Sequence, residues 1–257
     1  MRSIRLSNRF LLCLLILASV VACTGSQSTW DRVQNSGVLR VGTDPTYPPF
    51  AFSDGETIHG IDVDLAHAAA DELGLSVTFS HFGFDGLYDA LSTEQVDVLI
   101  SALIPDITRT RDFAYSQGYV DSGLVLVSPA HDALTQVEEL EDKIVAVELG
   151  AAGHVEATVW QRQLPNLTLT THPGSEEALL AVVDGQAHAA VVDNISFRIF
   201  AGSNPDPALD AVLVTSEPYA IVVRSEDRQL LREIDRSLAE LRSDGRLDAI
   251  LNSWFLD

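Results

Sequence analysis

Cysteine and positive charge are what this chain has least of. Its 257 residues include 2 cysteines, and 16 lysines and arginines stand against 37 aspartates and glutamates, for a formal net charge of -21. Such acidity excludes nucleic acid as a partner, because phosphates would be repelled. The 7 histidines are scattered, none pairs with another at i+3 or i+4, and no cysteine cluster accompanies them, so no metal site is expected. Neither a phosphate-cradling G-x-x-x-x-G-K-[ST] loop nor a G-x-S-x-G nucleophile turn occurs, which assigns any ATP hydrolysis to another chain. There is no low-complexity segment, and the apolar run FLLCLLILASVV at 10–21 is too short to cross a bilayer as a helix.

That run follows the basic stretch MRSIRLSNR and leads into VVAC, the layout of a secretory signal with Ala22 before Cys23. The pattern resembles a bacterial lipobox. It implies a signal peptide over 1–22, lipidation of Cys23 and a short tether over 23–29. Cleavage there would remove Arg2, Arg5, Arg9 and Cys13, leaving 235 residues, a net charge of -24 and one cysteine. No internal disulfide could then form, even in an oxidising compartment. TGSQS, after Cys23, reads as a flexible spacer.

With 46% hydrophobic residues the rest can build true cores. Strand-like runs alternate with helical patterns, which predicts parallel-sheet α/β architecture. In the first series VLRVGTD is a strand running into the Pro-rich loop PTYPPF, GIDVDLAHAAADELG a helix, LSVTFSHF a strand, FDGLYDALSTEQ a helix and VDVLISAL a buried strand. A second series follows residue 119: GLVLVSP, LTQVEELED, KIVAVELG, AAGHVEATVWQRQL, LTLTTHPG, SEEALLAVVDGQ and AHAAVVDN alternate strand and helix. VDVLISAL and AHAAVVDN hold comparable places, so two similar lobes are expected. The tail adds a strand and an amphipathic stretch whose apolar face breaks at Asp244 and Gly245.

Six strings carry a resemblance. LRVGTDPTYPPFAF, GIDVDLAHAAADELG, FDGLYDALSTEQVDVLISAL, YSQGYVDSGLVLV, GQAHAAVVDN and LAELRSDGRLDAILNSWF, in this order behind a lipobox, resemble the family 3 extracellular solute-binding proteins. These are the amino-acid-type periplasmic substrate-binding proteins of ABC transporters. The resemblance implies the two-lobed class II periplasmic-binding-protein fold, each lobe a mostly parallel central sheet flanked by helices. Lobe 1 would comprise 30–119 plus 219–257 and lobe 2 would comprise 120–218, with hinge crossings at Tyr119–Ser122 and Ser216–Tyr219. It further implies an amino acid as ligand, ABC permease and ATPase subunits as partners, no cofactor, a monomer, and an extracytoplasmic location at the membrane through Cys23.

A free amino acid presents a carboxylate, an ammonium and a side chain, and the resemblance assigns a device to each. Between Arg40 and Lys143 the only arginines or lysines are Arg109 and Arg111. In the family the carboxylate-binding arginine stands six residues before the first aromatic of a YSQGY-like string, which selects Arg109, whose guanidinium fork suits bidentate binding; the alternative is an exposed arginine balancing Asp106 or Asp112, the reading favoured for Arg111. Asp106 and Ile104 replace hydroxyl-bearing residues usual in the family, leaving backbone N–H groups from Ala102 to Ile104 to serve the ligand. Asp193 is assigned to the ammonium; its alternative role is to cap a helix beginning near Ser196. Gly150, Ala151 and Ala152 would offer backbone donors at a helix N-terminus, with His154 a surface residue. Tyr47 and Phe84 match rings that flank the ligand, or are ordinary half-buried aromatics. Asp44 would face a cationic end of the ligand or cap the Pro-rich loop.

Two other functions are compatible with the same scaffold. One is a dehydratase of aromatic amino-acid synthesis, which needs a positioned general acid from among Asp106, Glu148 and Asp193. The other is a ligand sensor for a signalling partner, which the absence of any appended segment after NSWFLD disfavours.

Overall fold

The computed structural model describes residues 27–205 and 208–255. Cys23, the expected signal segment and the start of the expected tether lie outside the described residues. Ser28 caps α1 (Thr29–Ser36) by accepting the Asp31 amide, and Gly37 ends it in the left-handed conformation. The apolar run that follows is β1 (Val38–Thr43). The Pro-rich segment then folds into a small antiparallel sheet of β2 (Thr46–Tyr47), β3 (Ala51–Ser53) and β4 (Ile58–His59). Gly60 links it to α2 (Ile61–Glu72) at φ 128°, where a Cβ would lie 2.1 Å from the Phe50 carbonyl oxygen. Only glycine permits that approach.

Next come β5 (Ser76–His81), α3 (Leu87–Ser92), β6 (Val98–Leu103) and β7 (Phe113–Tyr115). β8 (Val120–Asp121) crosses into β9 (Leu124–Pro129). Beyond it lie β10 (Ile144–Glu148), α4 (Ala152–Gln161), β11 (Thr168–His172), α5 (Ser175–Val183), β12 (Ala189–Asp193), α6 (Asn194–Ser203) and β13 (Leu209–Leu213). The chain returns through β14 (Pro218–Arg224) and ends with α7 (Arg228–Ser243) and α8 (Arg246–Phe255), separated at Gly245.

These strands form two large sheets. One has the order β5-β1-β6-β14-β7, with β8 also on β14; the other has the order β11-β10-β12-β9-β13. In the first sheet only β14 runs against the rest, and in the second only β9 does. Both are the strands entered just after the chain crosses between sheets. Apolar clusters cover both faces of each sheet, giving the two-lobed mixed α/β architecture.

The crossings pair with each other. Pro218 lies opposite Asp121 and Tyr219 opposite Val120. Asp121 pins this pair: its Oδ1 accepts from the amides of Gly123 at 2.8 Å and Glu217 at 2.9 Å, and its Oδ2 from the Ser216 hydroxyl at 2.6 Å. Burial alone would raise the Asp121 carboxyl, but those donors hold it below its ordinary value.

Some expected elements are shorter. FDGLYDALSTEQ is a 3-10 turn at Phe84–Gly86 followed by the six-residue α3. LTQVEELED contains only a 3-10 turn at Val137–Leu140, because Glu141 turns extended and Asp142 takes φ 61°.

Candidate functional site

Each lobe brings the carboxyl ends of its parallel strands to the same side, where open α/β sheets bind ligands. A cavity of about 580 Å³ lies at the ends of β1 and β6. Asp44, Thr46 and Tyr47 line it from beyond β1, Phe84 and Tyr88 from the α3 region, Ser101 to Ile104, Asp106 and Arg109 from β6 and its loop, and Tyr219 from β14. A second cavity of about 420 Å³ adjoins it, lined by Tyr47, Pro48, Ile104 and Tyr219, and from the other lobe by Ser122, Asp193, Ile195, Ser196 and Ile199. Tyr47, Ile104 and Tyr219 line both, so the two cavities form one cleft with the hinge at its base.

Arg109 is the cation of this cleft. Its Nε donates to Asp106 Oδ2 at 3.1 Å, and its guanidinium carbon sits 4.4 Å from the centre of the Tyr88 ring. Asp106 is itself held, capping the Ile107–Arg109 turn by accepting the Thr108 amide at 2.8 Å and the Thr108 hydroxyl at 2.6 Å. The Thr108 bonds first, and Arg109 after them, keep the Asp106 carboxyl below its ordinary value. Among the described residues neither Nη group of Arg109 has a protein hydrogen-bond partner. With Nε taken, the end-on Nη pair is the fork left for a carboxylate. The side chain of Arg111 is 93% exposed and only 3.9 Å from Asp112. Asp106, which replaces a residue usual in the family and is also a candidate charge partner and general acid, is therefore the residue that orients the guanidinium. Tyr88 was not among the expected residues, and it covers the opposite face.

Other cations are committed elsewhere. Arg32 and Arg40 both pair with the buried carboxylate of Asp97, whose burial would raise it but whose arginine bonds hold it low. Arg224 pairs with Asp227 at 2.7 Å.

The aromatic rings stand in the cleft. Phe84 is 59% exposed and Tyr47 48% exposed. Tyr47 stacks on Phe50 at 5.4 Å, with its hydroxyl 3.5 Å from that of Tyr219. Asp44 does cap its loop, accepting from the Thr46 hydroxyl at 2.8 Å, while lining the larger cavity. Asp193 caps α6 as the alternative reading expected, accepting the Ser196 amide at 2.8 Å and the Ser196 hydroxyl at 2.6 Å, and it lines the smaller cavity. The helix accordingly starts at Asn194 rather than near Ser196.

Two expected backbone donors are already spent. Ala102 has φ 47°, a left-handed conformation that costs a non-glycine residue roughly 1–2 kcal/mol. In that conformation its N–H donates to the buried carboxylate of Asp62 at 2.9 Å, so it does not serve the cleft. Gly150 donates its N–H to His154 Nδ1 at 3.1 Å, an exposed bond that corrects the free-donor role of Gly150. Neither Gly150 nor Ala152 lines either cavity. Gly153 brings α4 against β12, since a Cβ there would lie 2.4 Å from the Val191 carbonyl oxygen. Among the described residues no group of three or more His, Cys, Asp or Glu could hold a metal ion, and no helix is long and apolar enough to cross a membrane.

Comparison with known proteins places this cleft among relatives. The chain is 25% identical over 252 residues to the arginine-binding extracellular protein ArtP of Bacillus subtilis (strain 168), covering 93% of this chain and 97% of that one. It is similar to the structure of an ancestral cationic amino acid solute-binding protein, AncCDT-1, at 32% identity and TM-score 0.62, over 89% of this chain and 100% of that one. The same ancestor is described as a precursor of cyclohexadienyl dehydratase. The L-cystine solute receptor of Neisseria gonorrhoeae shares the fold at 22% identity and TM-score 0.78, over 90% of this chain and 97% of that one. Residues 39–257 match the model of one family throughout, and the chain belongs to it: the bacterial extracellular solute-binding proteins, family 3.

Proposed function

We propose that the protein is a receptor that binds an amino acid between its lobes and delivers it to the permease and ATPase subunits of an ABC importer. In this reading lobe 1 is 30–119 plus 219–257 and lobe 2 is 120–218, a division supported by the strand membership of the two sheets. The protein acts as a monomer outside the cytoplasm, tethered by lipid on Cys23.

The observation that carries the proposal is the posture of Arg109, held at Nε by Asp106 and on one face by Tyr88, with both Nη groups left for a carboxylate. Asp193, at the end of β12 on the opposite lobe, is the acid suited to the ammonium. Asp44 and Glu217 also line the cleft, and this excess of acid over Arg109 favours a basic or polar side chain. The arginine-binding relative and the cationic-amino-acid-binding ancestor agree with that preference. A micromolar complex is worth about -8 kcal/mol. Closure of the lobes supplies it by removing water from both charge contacts, shifting the hinge toward a closed state.

A thermal-shift screen over the amino acids tests the proposal. A ligand at 100 times its dissociation constant adds about 2.7 kcal/mol of stability. Arg109→Ala removes two charge-assisted hydrogen bonds, worth roughly 3 kcal/mol or more, and abolishes the shift; Arg111→Ala leaves it nearly intact. Equal losses in the two variants would remove Arg109 from the site. Palmitate incorporated by wild type but not by Cys23→Ser tests the tether.

The relation to a dehydratase precursor keeps the enzymatic reading in second place. A general acid needs a raised pKa, whereas the Thr108 and Arg109 bonds keep Asp106 lowered. Turnover of prephenate or arogenate to an aromatic product would reverse the order of the two readings.

A further inference from the structure

Asp62 is a carboxylate on the buried side of α2, in register with Ala66, Ala69 and Ala70. It is 1% exposed, and no arginine, lysine or histidine bonds to it. Its Oδ1 accepts from the Tyr119 hydroxyl at 2.7 Å and its Oδ2 from the Ala102 N–H at 2.9 Å, while that same N–H lies 3.2 Å from the Tyr119 oxygen.

Each of those partners belongs to the binding apparatus. Ala102 lines the larger cavity, one residue before β6 ends and the loop carrying Arg109 begins. The pairing of β6 with β14 is irregular there: Leu103 faces Ala220 and Leu99 faces Val222, so four steps on one strand match two on the other. Tyr119 opens the first crossing, and its backbone N–H donates to the Tyr219 carbonyl at 2.9 Å, which ties it to the second. Tyr219 in turn lines both cavities.

Removing Asp62 alone would leave the Ala102 N–H and the buried Tyr119 hydroxyl without their acceptor, which costs stability. What Asp62 also adds is geometry, since a left-handed alanine persists only where its surroundings over-determine it. We infer that Asp62 is a positioning residue for ligand binding, fixing the turn at Ala102, and with it the loop that carries Arg109, to the hinge crossing at Tyr119. This inference rests on the amino-acid-binding reading above.

The test compares wild type with Asp62→Leu, Asp62→Asn and Tyr119→Phe in two measurements. The first, amide hydrogen exchange at Ala102, needs no ligand. The second is the affinity for L-arginine, or for whichever amino acid the screen selects. Asp62→Leu keeps the branched shape but removes the acceptor: exchange at Ala102 rises at least about tenfold over that of neighbouring β6 amides, and affinity falls at least about tenfold while the melt stays cooperative. Asp62→Asn can still accept from Ala102, and it restores both to within about threefold of wild type. Tyr119→Phe keeps Asp62 as acceptor and changes affinity less than Asp62→Leu does. Wild-type affinity in Asp62→Leu, or failure of Asp62→Asn to rescue, overturns the inference. Should Asp62→Leu not fold, Asp62→Asn decides alone: protection of Ala102 together with near-wild-type affinity supports the inference, and loss of either overturns it. If no amino acid stabilises the wild type, the binding reading fails, and unprotected Ala102 in wild type would then sink the inference separately.

Discussion

Arg109 shows how far a single residue could be read from the sequence. Its identity follows from spacing to YSQGY, because a motif fixes position along the chain. Its orientation does not, because Asp106 approaches at Nε from within the same turn while Tyr88 arrives from α3. A cation–π contact at a partly exposed site is worth about 0.5–1 kcal/mol, so Tyr88→Leu should weaken amino-acid affinity about two- to fivefold, measured by calorimetry. Asp62 was equally hidden: one acid in a helical pattern reads as a solvated face until its neighbours in register prove buried. Burial pushes Asp62 up to about 7, against which the bonds from Tyr119 and Ala102 act. The folded protein therefore keeps a proton that the unfolded chain releases near pH 4. Stability from this group is full below about pH 4 and is lost as pH rises through about 7. Denaturant unfolding of wild type and Asp62→Asn at several pH values between 4 and 8 should show their difference changing in that direction. The lowered carboxyls of Asp97 and Asp121 act oppositely and cancel in the difference.

Among elements, the legible ones were those with long apolar runs. β6 and β12, buried nearly throughout, declare themselves by composition, and Gly74 and Gly245, both left-handed, mark helix ends that the sequence signalled. β2, β4 and β8 have two residues each and carry no period; pairing partners distant in sequence make them strands. The Gly150 turn went astray for a related reason. A helix N-terminus offers free donors only if no side chain returns to it, and His154 does return. The hinge is the element where a small change should matter most. Asp121→Ala leaves the amides of Gly123 and Glu217 and the Ser216 hydroxyl without their acceptor. Unsatisfied partly buried donors cost about 1–3 kcal/mol, so the denaturation midpoint should fall accordingly, whereas Ser216→Ala, which removes one donor, should cost less.

Across the whole molecule, the two lobes meet at more than their crossings. Ile195 of α6 packs into the core cluster that holds Phe50, Tyr119, Tyr219 and Phe255. One turn on, Arg198 lies 4.6 Å over the Phe255 ring and donates to Asn252 at 3.2 Å. Burial lowers the Arg198 pKa, with Asp248 acting against it. Arg198→Ala should broaden the distribution of interlobe distances measured between spin labels on α4 and α3, with little loss of thermal stability. Such a contact joins helices from opposite halves and leaves no trace in local sequence, so two lobes could be expected without their seam. The return of β14 to the first sheet has a temporal side as well. A ribosome that has released residue 213 has made every strand of one half, yet the other still lacks β14, α7 and α8. Nascent chains arrested there can complete only the inner half, and a stop codon within 218–224 leaves Arg109 on a sheet that never finishes.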